Sequence, residues 1–253
     1  MEKGVLGARI SKVLVLDRKR IESATAEELI CRLEGEQFVD IGRIGKQLFL
    51  ETGAGALMVH LGLTGDVVVD RVGDAAPRFA RLVVEFEDGR RMVFEDMRRF
   101  GRIGFTDDIR EVVRRKHLGP DVMRVSSAAF VERVGRHRRA IKTVLLDQSV
   151  VAGIGNLYAD EALFQAGIHP LTHPSVLEED ELKRLWRDVR KVMRRSLAVG
   201  SDFDALPRTY LLRNRRAGER CPGAHGARLE SMVVGGRTTV FCPAKQRIRK
   251  DVR

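Results

Sequence analysis

Residues 141–170 read IKTVLLDQSVVAGIGNLYADEALFQAGIHP, and the reading of this stretch decides the fold. It reads as a helix over Ala140–Asp147, a connection of two turns, and a second helix over Asn156–Ala166. Gly167 follows where a left-handed C-cap belongs. Gly153-Ile154-Gly155-Asn156 opens the second helix. Two glycines let the backbone approach a ligand closely, and a helix N-terminus points free N–H groups outward, which suits a phosphate. Asn156 can cap the helix or donate its amide to a phosphate oxygen. By itself the same segment also reads as a tight turn with an N-cap.

Outward from this pair the helical character continues. Ser126–Val134 and Leu177–Ala198 read as helices; in the latter Leu182, Leu185, Trp186, Val189, Val192, Met193 and Leu197 recur at helical spacing. His117-Leu118-Gly119-Pro120-Asp121 is a breaker and places a hinge over 118–125. The chain before it reads as mostly β, with apolar runs at Ser11–Asp17, Phe38–Glu51, Ala56–Asp70 and Arg81–Phe105. Glu87-Asp88-Gly89-Arg90 marks a hairpin, since Asp-Gly supplies the positive φ of a primed turn. Thr25 and Glu28 form a capping box before a short helix to Leu33. Strands of this kind suggest a sandwich or barrel. After Pro207 the β signals return, with Arg237–Phe241 following the Gly235-Gly236 turn. The expected organisation is 1–117, hinge 118–125, 126–206 and 207–253.

The chain has 253 residues, of which 46 are Lys or Arg and 35 Asp or Glu, for a net charge of +11. Arginines number 36 against 10 lysines, and the planar guanidinium suits bidentate phosphate contacts. From Pro207 onward twelve basic residues face three acidic ones, a net of +9. A basic end interrupted by Gly and Pro points to nucleic acid rather than to an amphipathic membrane helix. No apolar run approaches the ~18 residues of a membrane span. The start lacks the apolar core of a signal peptide. Three cysteines cannot build a disulfide framework, so a reducing cytoplasm is expected.

The 141–170 segment closely resembles the helix–two-turn–helix of the Fpg/Nei family, the formamidopyrimidine-DNA glycosylases and their endonuclease VIII-like relatives. Further stretches match in order: Gly42-Arg43-Ile44-Gly45-Lys46; fourteen residues after Lys46, His60-Leu61-Gly62-Leu63-Thr64-Gly65; Asp96-Met97-Arg98-Arg99-Phe100-Gly101; His117-Leu118-Gly119-Pro120; and Gly236–Pro243. The resemblance implies an α+β fold: an N-terminal antiparallel β-sandwich, a helical domain with the helix–two-turn–helix, and a C-terminal β-hairpin finger. It implies a monomeric, bifunctional DNA glycosylase and AP lyase of base-excision repair, acting on damaged duplex DNA in the cytoplasm at the nucleoid. Such an enzyme flips the damaged base out of the stack. Leu63, Arg98 and Phe100 match the residues that fill the gap, sensible wedges between bases. Phosphate contacts are expected of Lys46, Lys142, Asn156 and Arg237, with Gly153 and Gly155 shaping the loop. Lys142 could instead only solvate its helix. His60 reads as a hydrogen-bonding structural residue.

The sequence departs from the family pattern twice. The family's finger carries two Cys-x2-Cys pairs that bind zinc. Here Cys221 is followed three residues on by Ala224, and Cys242 by Lys245. The finger is therefore expected to be zincless and the protein to need no cofactor; Cys221, His225 and Cys242 are the ligands a zinc ion would have to use. Members also begin with a Pro-Glu helix, whose proline amine attacks the lesion sugar. An α-amine suits this task because its pKa is ~7.7–8.0, against ~10.4 for lysine. Met1–Ile10 instead matches the exit from that helix, with Glu2 directly before the first strand. The catalytic Pro and Glu are thus expected upstream of Met1. Either Met1 is an internal position of a longer protein, the reading adopted here, or the nucleophile has been lost and the chain only binds damaged DNA. The segment from Asp202 to Cys221 is shorter than in typical 8-oxoguanine-specific members, which leaves the lesion base open.

Overall fold

In a computed structural model the described residues are 2–75, 77–223 and 226–249, with Glu2 and Lys3 described by backbone only. They form two compact units, Met1–Lys116 and His117–Arg253.

The first unit begins with one helical turn, α1 (Glu2–Val5), where the sequence reading ran Glu2 straight into a strand. Leu6 then bridges to Phe38, and the first strand starts only at Ile10. The elements in order are β1 (Ile10–Val15), β2 (Ile21–Glu22), α2 (Ala26–Leu33), β3 (Asp40–Ile44), β4 (Gln47–Thr52), β5 (Gly55–His60), β6 (Gly65–Arg71), β7 (Ala80–Phe86), β8 (Arg90–Asp96), β9 (Arg102–Thr106) and α3 (Ile109–Arg115). Thr25 and Glu28 close the expected capping box on α2. A four-stranded sheet, β1-β7-β8-β6, faces a five-stranded one, β2-β9-β5-β4-β3. All pairings are antiparallel except β2 with β9. Phe38, Phe86, Phe94, Leu50, Leu57 and Leu82 fill the core between them. Sequence reasoning missed α3, because charge dominates IREVVRR; Ile109 and Val112 cover Phe49 and Met58 on the five-stranded sheet.

The second unit contains α4 (Ser127–Gly135), α5 (Ile141–Leu146), α6 (Asn156–Ala166), α7 (Glu179–Ala198) and the hairpin β10 (Glu230–Val234) with β11 (Arg237–Phe241). Its core joins α4, α5, α6 and α7 through Phe130, Val144, Leu145, Leu163, Leu185 and Val189. The periodic reading of α7 holds through Met193 and then slips: Leu197 is exposed and Ser196 is buried, its Oγ 3.0 Å from the Tyr158 hydroxyl. Residues 118–125 are tied into this unit. The Gly119 amide donates to Gln148 O, Asp121 bridges to Ala152, and Val122 and Val125 are buried. Among the described residues no helix is long and apolar enough to cross a membrane.

Phe94 links this packing to the loops that matter below. A Cβ on Gly101 would lie 2.5 Å from Phe94 Cζ, and one on Gly65 2.9 Å from its Cε2. The ring is therefore the floor under both the β5–β6 and the β8–β9 connections. Phe94→Ala should cost about 3–5 kcal/mol of stability through the cavity it leaves, measured by urea unfolding.

Candidate nucleic-acid interface

The β5–β6 connection (61–64) and the β8–β9 connection (97–101) are built as one piece. Gly62 has φ +67°, and a Cβ there would fall 2.6 Å from both Gly101 N and the Phe100 carbonyl carbon. Asp96, fully buried, stitches the two together. Thr64 Oγ1 donates to Asp96 Oδ1 at 2.5 Å, the Arg98 amide to Asp96 Oδ1 at 3.2 Å and the Gly101 amide to Asp96 Oδ2 at 2.6 Å. Burial would raise the Asp96 pKa, but these donors outweigh it and hold the carboxyl below its ordinary value. Arg99 sits at φ +58° with its Nε 3.1 Å from the buried Asp17 Oδ2.

These anchors leave three side chains standing out. Leu63 is 70 % exposed and Phe100 48 % exposed, with the Arg98 guanidinium 5.0 Å from the Phe100 ring centre. Met97, 56 % exposed on the same loop as Phe100, adds to the apolar surface at this place, and grouped exposed apolar side chains mark interaction sites. His60 lies beneath them: its Nδ1 accepts the Gly62 amide at 3.0 Å. Burial, then the nearby Lys116 and Lys46 charges, push its pKa down. Lys46 is exposed in the β3–β4 turn beside Gly45, whose φ is +62°.

In the second unit, α5 leads into α6 by two tight turns. Asp147, the C-cap of α5, accepts the Ser149 amide at 3.0 Å and its hydroxyl at 2.6 Å, and pairs with Arg139. Gln148 accepts the Gly153 amide at 3.0 Å and donates to Ile154 O at 3.2 Å. Gly153 is buried at φ +115°, so its role is the turn itself and its N–H is already used. Gly155, not Asn156, is the N-cap of α6. Among the described residues the N–H groups of Gly155, Asn156 and Leu157 meet no protein acceptor, as expected of a helix N-terminus. The Asn156 amide donates one hydrogen to Thr238 O at 3.1 Å.

Lys142 is the clearest correction to the sequence reading. It is 0 % exposed, with its Nζ 2.6 Å from Asp160 Oδ1 and 2.7 Å from Thr239 Oγ1. Its side chain is closed off from solvent. Burial pushes its pKa down against the pull of Asp160. Asp160 Oδ2 accepts from Arg215 Nε at 2.9 Å and Nη2 at 2.5 Å and from the Val240 amide at 3.0 Å. Thr238 O in turn accepts from Lys142, Asn156 and Arg215. This network, which sequence reasoning did not find, clamps β11 to α6 and carries the Gly235-Gly236 tip. Arg237 is exposed beside that tip. The signal for the clamp was an acid, Asp160, beside Glu161 in a helix whose other buried residues are apolar.

The described finger residues do not fit a zinc ion. Cys221 and Cys242 pack in an apolar cluster with Phe164, Leu211, Leu229 and Val240. Lys245 holds its Nζ 4.1 Å from the Phe164 ring centre, a cation–π contact where the family pattern calls for a thiolate. Gln246, also buried, bonds the Cys242 amide and Ile168 O. Ala224 and His225 lie outside the described residues. Among those described, no three His, Cys, Asp or Glu side chains gather to hold a metal.

A β-sandwich unit with exposed apolar and basic side chains on two joined loops, and a helix–two-turn–helix unit with a basic hairpin, define a DNA-binding class of protein. The models for the formamidopyrimidine-DNA glycosylase N-terminal domain and H2TH domain match residues 1–103 and 118–205. The formamidopyrimidine-DNA glycosylase of Roseiflexus sp. strain RS-1 is 37% identical over 96% of this chain and 94% of its own length. That of Geobacter metallireducens is 36% identical over 97% and 95%. Among solved structures, the Lactococcus lactis glycosylase bound non-covalently to DNA with an AP site aligns with TM-score 0.84 and 26% identity, over 97% of this chain and 94% of that one. Its complex with Fapy-dG DNA aligns at 0.85 and 27%, over 97% and 95%. The chain belongs to the formamidopyrimidine-DNA glycosylase family.

The Asp147 carboxyl has its pKa lowered from 3.8 to about 2: burial raises it, and the Ser149 and Arg139 hydrogen bonds more than reverse that. A depressed carboxylate contributes stability above its unfolded pKa and loses it as pH falls through the folded value. Asp147→Asn should therefore lower stability by about 1–2 kcal/mol at neutral pH and flatten the loss between about pH 4 and 2. Thermal unfolding of both forms across that range checks it.

Proposed function

We propose that this chain carries the DNA-recognition frame of a DNA repair glycosylase with AP-lyase chemistry, an enzyme that excises oxidised bases from duplex DNA. The observation that carries the reading is the wedge: Leu63 and Phe100 stand exposed on loops that buried Asp96 makes rigid. Extruding a base leaves a gap, and an aliphatic, a guanidinium and an aromatic side chain can fill it. Lys46, Asn156 and Arg237 hold phosphates, with the free α6 amides and Gly155; Gly153 shapes the turn, and Lys142 belongs to the scaffold. The protein acts as a monomer in the cytoplasm, at the nucleoid. Oxidised pyrimidines are as open to it as purines.

We assign recognition to these residues and no covalent step to any of them. The Pro-Glu pair that the family resemblance implies is not in this sequence. Borohydride reduction on an abasic-site duplex should accordingly trap no adduct with the chain as it stands. An adduct abolished by Lys46→Ala would make Lys46 the attacking amine and refute that assignment.

Recognition is tested separately. Leu63→Ala with Phe100→Ala should change stability by no more than about 0.5 kcal/mol per site, because both are exposed. The pair should nonetheless lower the preference for an abasic-site duplex over an intact one about tenfold, within the ~1–3 kcal/mol of a stacking contact. Arg237→Ala should weaken both duplexes alike and flatten the log K against log salt slope by about one. Unchanged lesion preference in the wedge variant would sink the reading.

A further inference from the structure

The C-terminal half of α7 carries a row of cations that the recognition above does not use. Arg187, Lys191, Arg194 and Arg195 are exposed and Arg190 is half-buried. With Tyr210 they line a groove of about 830 Å³. In the N-terminal half of α7 the charges are paired: Lys183 with Glu179, Arg184 with Glu181. Among the described residues, Arg187, Lys191, Arg194 and Arg195 form no ion pair. Asp188, half-buried, borders the row.

The row faces away from the interface already described. Each helical residue turns by about 100°, so 187, 191 and 194 lie opposite the buried face Leu182, Leu185, Val189, Val192 and Ser196. That buried face meets α6, and Ser196 bonds Tyr158 in the first turn of α6. The whole ~10 Å width of α7 thus separates the row from the α6 N-terminus.

We propose that this row binds the phosphodiester backbone of a second segment of duplex DNA. Arg187, Lys191 and Arg194 or Arg195 are one turn apart, about 5–6 Å along the axis. Such a row matches an extended polyanion; a small anion would meet one or two of the charges and gain nothing from the others. Guanidinium groups are suited to bidentate phosphate contacts. Trp186 gives no platform for a base: Arg190 covers its ring at 4.8 Å, and its Nε1 donates to Val125 O at 3.2 Å. The contact therefore reads backbone alone, which favours a duplex over an unstacked single strand. With a net charge of +11, the chain can neutralise phosphate on two segments.

The test mixes two short undamaged duplexes carrying different fluorophores with the intact chain. Energy transfer between them should show both held by one protein. The variant Arg187→Gln with Lys191→Gln and Arg194→Gln alters exposed, unpaired side chains and should keep its thermal midpoint. It should bind one duplex as before and lose the transfer. Arg237→Ala should do the reverse, weakening the first duplex and sparing the second, so failure of the lesion reading and failure of this one are told apart. Undiminished energy transfer in the triple variant overturns the proposal. So does displacement of the second duplex by polyglutamate at lower concentration than by unlabelled DNA, which would make the row a seat for an acidic protein.

Discussion

The second unit depends on one buried carboxylate. Asp160 on α6 receives an ammonium from α5, a guanidinium from Arg215 and the backbone amide of Val240 on β11. Two cations against one anion leave a surplus positive charge, which Thr238 O helps to spread by accepting from both. Removing one partner of such a pair costs about 3–5 kcal/mol, because the other is left charged and dry. The clamp holds the hairpin finger in place through side chains of the protein itself. Directional ionic bonds fix the backbone of β11, and the apolar cluster around Phe164 closes over them.

The first unit uses the same device on a smaller scale. Asp96 accepts donors from two loops that meet nowhere in sequence, 32 residues apart between Thr64 and Asp96. Its depressed pKa records how fully its oxygens are satisfied. In both units a buried acid holds backbone amides in place, and the exposed residues to which recognition is assigned above ride on that frame. Recognition needs this rigidity, because a wedge that yields on contact pays the ordering cost at the moment of binding.

Much of this was legible in the sequence, and the failures have a common cause. The capping box on α2, the Asp-Gly hairpin and the four helices from Ser127 onward rest on local chemistry, which neighbours in sequence supply. Lys46, Leu63, Arg98, Phe100 and Arg237, singled out through the family resemblance, are all exposed in the structure. Lys142 was misjudged because its fate depends on Asp160, Thr238 and Thr239, 18 to almost 100 residues away. Asn156 looked like a cap because Asn favours that position, but Gly155 holds it and Asn156 reaches across to Thr238. The short helix α3 escaped notice because its burial rests on Ile109 and Val112 against a sheet the period cannot see.

Burial runs opposite to residue type at the places that matter. Lys142, Asp160 and Asp96 are inside; Leu63 and Phe100 are outside. Each inversion has a cost: desolvation for the charges, exposed apolar surface for the wedge. A fold retains such costs where something offsets them. For the buried charges the offset is visible within the protein, in the hydrogen bonds that satisfy them. Phe100 has only the Arg98 guanidinium over its ring, and Leu63 is 70 % exposed; on the function proposed above, the offset comes from the bases they insert between. A stack of bases opened at one position supplies apolar, planar walls on both sides, which is the environment these two side chains lack in water.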